Sequence, residues 1–401
     1  MRFFTFVFLA MLLSCNSQQN KSDFDKKPGS FGYDLAFLQG HDSSLVILQN
    51  GPAKLIVSAK YQAKVLTSTA AGDGGASFGW IHYKAFDGPP DPHMNAYGGE
   101  NRFWLGPEGG PYSLFFVKGA KMEFANWHTP AAVDSEPWEL VNSTPTSVSL
   151  RKDMELANYA GTQLHCKVDR KISLLISEAV DSLLQIHLQK DVQFVAYRAE
   201  NTVTNTGDKA WDDSTGMPCT WILDMFPPSD STVIVIPYKP DSLREPATTD
   251  YFGEIPADRI KYKEGVLFFK ADGKSRGKLG VHPAAAKKVA GSYDATKNVL
   301  TIILYDVDPL GKYLNQEWRM DKPIYSGDAM NAYNDGPLTN GSQMGPFYEL
   351  ESVSTAHFLP PGHSATHWHS VFHFTGDEAA LNSIAQQVLG VSLDTIKNAF
   401  K

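Results

Sequence analysis

From Gly32 onward, short runs rich in Val, Ile, Leu, Thr and aromatic residues are interrupted roughly every ten residues by Gly, Pro, Asn or Asp. Runs this short cannot build an amphipathic helix of useful length, whereas alternation along them buries one side of a strand. Residues 45–49 stop at Asn50-Gly51, a hairpin signal, and 53–67 resume with alternation. Further runs fall at 147–151, 192–206, 231–238, 265–269, 298–307 and 364–374, and helical period is nearly absent before the end. The pattern predicts a mainly β protein, a large antiparallel β-sandwich, rather than an α/β fold.

The tail differs. Asp377 precedes a stretch in which Leu381, Ile384, Ala385, Val388 and Leu389 recur at helical spacing and Gly390 ends it; Ser392 starts a second short helix carrying Leu393, Ile396 and Phe400. These helices are expected to cover a sheet edge or pack on its back.

The head is not part of the fold. Arg2, an apolar run over 3–13, Ser14 and Cys15 have the order of a secretory signal, and the run is too short to span a bilayer. Leu12-Leu13-Ser14-Cys15 resembles a bacterial lipobox, which implies acylation of Cys15 and a lipid-anchored protein of the cell envelope, periplasmic or on the outer-membrane surface. The expected organisation is a signal peptide over 1–14, a polar tether over 15–31, a β-sandwich over 32–375 and a helical segment over 376–401. A net charge of −8 without a Lys/Arg cluster argues against a nucleic-acid partner. Cys166 and Cys219 could form one disulfide outside the cytoplasm or serve as buried apolar fillers.

Residues 98–116 combine Glu100, Asn101, Arg102 and Glu108 with Phe103, Trp104, Tyr112, Phe115 and Phe116 between glycines. The expectation is strand, tight turn, strand. Aromatic rings beside carboxylates and a guanidinium suit a saccharide cleft, since rings cover the apolar faces of a pyranose while polar groups fix its hydroxyls. A hairpin with an internal Arg102 ion pair is the competing reading.

Several stretches in order are similar to the galactose mutarotase-like superfamily. Residues 59–66 resemble its opening strand, although Ala63-Lys64 stands where a Gly-Gly or Gly-Arg pair is usual; Asn101-Arg102 matches its Asn-Arg pair, whose arginine would hold the sugar; 201–208, followed by Trp211, resembles the strand and turn before its central histidine; and Glu349-Leu350-Glu351-Ser352 with 359–363 resembles the segment carrying its catalytic glutamate. The resemblance implies a twisted β-sandwich that binds carbohydrate. Where its epimerases place a histidine acid, this chain has Met217 to Trp221 and no histidine until His282. Residues 100–110 and 327–336 resemble an uncharacterised Bacteroidetes-type lipoprotein branch, which implies no activity of its own.

Chemistry at an anomeric carbon needs one group to take a proton and another to give one. The resemblance makes Glu351 the base, and alternation puts Glu349 on the same face, where a second negative charge raises one pKa. His128, His165 and Asp328 are candidates for the acid. Trp104, Glu108, Trp127 and Tyr333 join Asn101 and Arg102 as substrate-binding candidates. His367, His369 and His373 share one strand face, so a divalent metal held there could replace the missing acid. No other cofactor is indicated. The reading is a carbohydrate-active envelope protein, with a glycan-binding lipoprotein that performs no catalysis and an inert structural sandwich as alternatives.

Overall fold

The computed structural model describes residues 27–240 and 245–401. Cys15 and the expected signal peptide lie outside the described residues. The chain is mainly β, built of antiparallel sheets with short C-terminal helices. A three-stranded sheet runs β1 (Val46–Asn50), β2 (Ala53–Ser58), β3 (Lys64–Thr69). A six-stranded sheet runs β11 (Ala247–Thr248), β14 (Gly277–Val281), β17 (Met330–Asn334), β18 (Tyr348–Val353), β9 (Cys219–Phe226), β4 (Arg102–Gly106). The ten-stranded sheet has the order β12 (Ile260–Lys263), β13 (Val266–Lys270), β10 (Thr232–Pro237), β15 (Val289–Asp294), β16 (Val299–Tyr305), β19 (Ser364–Thr375), β8 (Gln193–Asn205), β7 (Gln163–Leu174), β6 (Ser147–Ala157), β5 (Glu139–Ser143).

The expected runs become strands for the predicted reason. In β7 the buried positions alternate, Leu164, Cys166, Val168, Arg170, Ile172 and Leu174 facing the core. Asn50-Gly51 makes the β1–β2 turn, with Asn50 opposite Ala53. The run 53–67 is instead cut in two, because the chain turns between β2 and β3 with Gln62 at φ 59° and Ala63 at φ 51°. A left-handed backbone costs a residue with a Cβ roughly 1 kcal/mol. The position at which the mutarotase-like motif has glycine is thus held here by an alanine under strain.

The six-stranded sheet is buried on both faces. β4, β9, β17 and β18 are buried at every position. One face packs on the ten-stranded sheet; long loops cover the other. That cover puts the polar residues of the second face out of bulk water.

The C-terminal helices follow the sequence reading. The Asp377 carboxylate accepts from the N–H groups of Ala379 and Ala380 to cap α5 (Glu378–Leu389), and Gly390 ends it at φ 73°. Ser392 Oγ accepts from the Thr395 N–H to cap α6 (Leu393–Lys397). Leu381, Ile384, Leu389, Leu393 and Ile396 lie on Val233, Val235, Leu300, Ile302 and Phe372, the back of the ten-stranded sheet. Burying each such side chain contributes about 1.5–3 kcal/mol. Four earlier helices, α1 (Phe31–His41), α2 (Tyr83–Asp87), α3 (Ala131–Asp134) and α4 (Ser177–Leu184), were not expected. In the first, Gly32 and Gly40 read as strand breaks, although Phe31 and Leu38 share its buried side.

The expected hairpin over 98–116 is corrected. Only Arg102–Gly106 is a strand, and it pairs with β9 at the edge of the six-stranded sheet, while 107–116 is irregular. Gly98 is required where the chain enters: at φ 82°, a Cβ there would stand 2.2 Å from the Trp80 carbonyl oxygen. Cys166 and Cys219 are free and buried, so the apolar-filler reading of the two thiols holds. Among the described residues no helix is long and apolar enough to cross a membrane.

Candidate functional site

Strand register builds the site. Gly280, Asn331, Glu351, Leu223 and Arg102 lie opposite one another across β14, β17, β18, β9 and β4, and Lys278, Tyr333, Glu349 and Met225 form the next row. Residues directly opposed across strands share a face. The alternation in β18 therefore puts Glu349 and Glu351 beside Arg102 and Lys278, on the side away from the ten-stranded sheet.

The two rows are wired by charge. Arg102 Nη2 donates to Glu349 Oε1 in a short contact, and Lys278 Nζ lies 3.1 Å from Glu351 Oε2. The Trp221 indole N–H donates to the same Glu351 oxygen at 2.8 Å. Arg102 Nε and Glu351 Oε1 are buried without partners. Burial pulls Lys278 down, but Glu351, Glu108 and Glu349 outweigh it and hold the ammonium above its usual value. Burial raises Glu349 above the ordinary carboxylate range; Arg102 opposes the rise and Glu351 adds to it. Glu108 is raised as well, chiefly by burial, with Lys278 pulling the other way.

Above these rows a cleft encloses about 660 Å³ of empty space, open mouth included. Arg102, Arg276, Lys278, Glu108 and Glu349 supply its charged groups. Its walls are aromatic: Trp104 meets Trp221 edge to face at 5.4 Å, and Trp127 stacks on Trp318 at 5.8 Å. The Trp127 and Trp318 indole nitrogens are buried without a closed hydrogen bond, yet both approach the Glu108 carboxyl and oppose its upward shift. Among the described residues Glu108 has no ion pair, and burial raises it against Lys278 and the two indole N–H groups.

Of the predicted residues, Arg102, Trp104, Glu108, Trp127 and Tyr333 meet in this cleft. Glu351 shares their sheet face but is fully buried beneath Lys278 and Trp221, and the carboxyl at the surface is that of Glu349. Asn101 is corrected. Being one residue from Arg102 it points to the opposite face, where its Nδ2 donates to Asp224 at 2.6 Å and its Oδ1 accepts from Arg170. His128 lies outside the cleft, stacked on His93 at 4.8 Å with Nδ1 2.7 Å from the Pro92 carbonyl. His165 stands on β7, 3.5 Å from Glu155. Asp328 is buried, accepting from the Tyr251 hydroxyl at 2.8 Å, and does not line the cleft.

The expected metal set does not assemble. His369 engages Ser352 Oγ through Nδ1 at 2.8 Å and Asp224 through Nε2 at 2.7 Å; His373 engages Thr301 and Glu100; His367 Nε2 engages Ser352 at 2.9 Å. The ring nitrogens of His367 and His369 serve contacts between the sheets and those of His373 bond Thr301 on the neighbouring strand and Glu100, and among the described residues no group of three His, Cys, Asp or Glu side chains could hold a metal ion.

Lys278, Trp221 and Trp318 were missed. A lysine inside the short apolar strand Gly277–Val281 was a usable signal, because a charge in such a run must find a partner. Trp221 occupies the stretch in which the mutarotase-like resemblance expects a histidine.

Residues 29–400 match a family of unknown function, DUF6786. The chain belongs to this family. Among solved structures it is similar to the Slr1438 protein of Synechocystis sp. PCC 6803, at 13% identity and a TM-score of 0.50, covering 83% of this chain and 96% of that one. It is also similar to a galactose mutarotase-like protein of Lactobacillus casei ATCC 334, at 11% identity and a TM-score of 0.50, covering 82% of this chain and 100% of that one. Identities this low establish the shared fold alone. No curated protein matches in sequence.

Proposed function

We propose that the cleft binds a saccharide and catalyses proton exchange at its anomeric centre, with Glu349 and Glu108 as the pair that takes and gives the proton. One observation carries the reading: two carboxyls of unlike environment line a single tryptophan-walled cleft. Glu349 pairs with Arg102 yet is raised to about 8 by burial and Glu351, while Glu108 lies against two indole N–H groups and is raised from 4.5 by burial with Lys278 opposing. Anomer exchange needs one group to take the proton of the anomeric hydroxyl and another to give one to the ring oxygen as the ring C–O bond opens, and two carboxyls in unlike surroundings can divide those roles. Trp104 and Trp127 would cover the sugar faces. Glu351, expected from sequence as the base, would act from below by holding Lys278.

A binding role without turnover is favoured by a different observation, that each carboxylate of the two rows already has a cation. Anomer exchange followed by NMR on the purified protein, over a panel of hexoses, separates the readings. The enzyme reading expects exchange above the buffer rate, lost in Glu349→Gln and Glu108→Gln. Saturable binding with exchange no faster than buffer would establish the binder instead.

We also propose that Cys15 is acylated after removal of residues 1–14. Mass spectrometry of the mature N-terminus tests this, and an unmodified Cys15 in membrane-extracted protein rejects it.

A further inference from the structure

Past Glu108 the cleft does not end. A second hollow, about 1110 Å³ with its mouth included, shares Glu108, Phe252, Arg276, Trp318 and Tyr333 with the first and adds Gln316, Leu338 and Gln343. Its wall is fixed: the Arg276 guanidinium lies 3.8 Å over the Phe252 ring and its Nε donates to the Tyr333 hydroxyl at 3.2 Å, while Phe252 meets Tyr333 edge to face at 6.0 Å. Among the described residues no carboxylate pairs with Arg276, so its terminal nitrogens remain for a ligand. Gln316 accepts the Glu108 backbone N–H at 3.2 Å through Oε1 and keeps its amide donors uncommitted. Flat rings with free donors repeat the chemistry of the first hollow, and Glu108 stands where the two meet.

We propose that the ligand is a glycan of at least two units, one over Glu349 and Arg102 and the next in the hollow of Phe252, Arg276 and Gln316, with the linkage between them beside Glu108. The proposal rests on the saccharide reading of the first hollow. It differs from that reading in size: a free hexose fills only half of the site.

The test compares binding of glucose and galactose with that of maltose, cellobiose and lactose by calorimetry, on the wild-type chain and on the double variant Leu338→Ala/Gln343→Ala. Those two side chains line the second hollow and not the first. The expected result is that at least one disaccharide binds about tenfold or more tightly than its component hexose, a gain of about 1.4 kcal/mol, and that the double variant removes most of this gain without changing hexose affinity. Hexose binding with no gain from a second unit overturns the proposal and leaves the first reading standing. A gain that the double variant leaves intact also overturns it, by placing the second unit elsewhere. Binding of no sugar sinks both.

Discussion

The two faces of the six-stranded sheet use the same kinds of residue for opposite ends. On the inner face Asp224 joins Asn101 and His369, Ser352 joins His367 and His369, and Arg170 bridges Asn101 and Asn201. The bonds from Asp224 and Ser352 to the histidines and from Arg170 to Asn101 cross between sheets, and in a low-dielectric interior such a network favours one register. On the outer face Arg102, Lys278, Glu349 and Glu351 are equally buried, yet Arg102 Nε, Glu351 Oε1 and the Trp127 and Trp318 indole nitrogens lack partners, and the layer above them is a hollow. Leaving such groups unpaired costs stability. The inner atoms named above are paired, although Glu100 Oε2 and Tyr197 Oη in the same interior are not; leftover polar atoms that face a hollow are what a ligand would complete.

The contrast can be broken most severely from within. Asp224→Ala orphans the Asn101 amide and the His369 imidazole in the core, so a loss of about 2–5 kcal/mol is expected in urea unfolding; a loss under about 1 kcal/mol would show that the inner network is not structural. Glu349→Gln, one strand away on the outer face, should reverse the balance. Saccharide turnover is expected to fall by about 100-fold or more while stability changes by about 1–2 kcal/mol. Equal stability losses in the two variants would erase the distinction between the faces.

Acidity sharpens the same contrast. Burial holds His367 down to about 3, so its imidazole stays neutral in the fold while the unfolded chain takes up a proton below about 6.5. Its contribution is therefore complete above that pH and is lost as pH falls toward 3. Glu108 and Glu349 are raised from 4.5, so the folded state holds the extra proton. Their contribution is present below 4.5 and is lost as pH rises through the raised values. Unfolding at a series of pH values should show His367→Asn flattening the acid limb and Glu108→Gln flattening the opposite one. If neither variant changes its limb, the buried groups are not the ones titrating.

The smallest effect concerns the turn between β2 and β3. Ala63 sits at φ 51°, so Ala63→Gly should relieve strain and raise stability by up to about 1 kcal/mol in thermal unfolding, partly offset by the freer unfolded chain. Destabilisation would mean that the Ala63 methyl contributes more through packing than the backbone loses.

Much of the sheet architecture could be read directly. The runs at 192–206, 231–238, 298–307 and 364–374 are strands, and the Asp377 and Ser392 caps open their helices, because alternation and capping are local rules that sequence states outright. Periodicity also put Glu349 and Glu351 on one face, since a strand has only two. It could not say which depth each would occupy. Asn101 was misplaced for the complementary reason: adjacent to Arg102 in sequence, it must point the other way in a strand, and only knowing that 102–106 is β4 makes that rule apply. Lys278 and Trp318 reach the cleft from β14 and from a distant loop, and no local pattern joins them to Glu108.

Sequence by itself determined a mainly β chain, its terminal helices and the residue types of a charged, aromatic cleft, because each follows from spacing along one segment. The tertiary structure decided that Glu349 rather than Glu351 meets the cleft, that the three strand histidines are taken up by hydrogen bonds in the interior, and that Glu108 stands between two hollows. Those outcomes depend on which strands lie side by side and on what loops cover them, and burial, pairing and pKa are properties of that neighbourhood rather than of any stretch of chain.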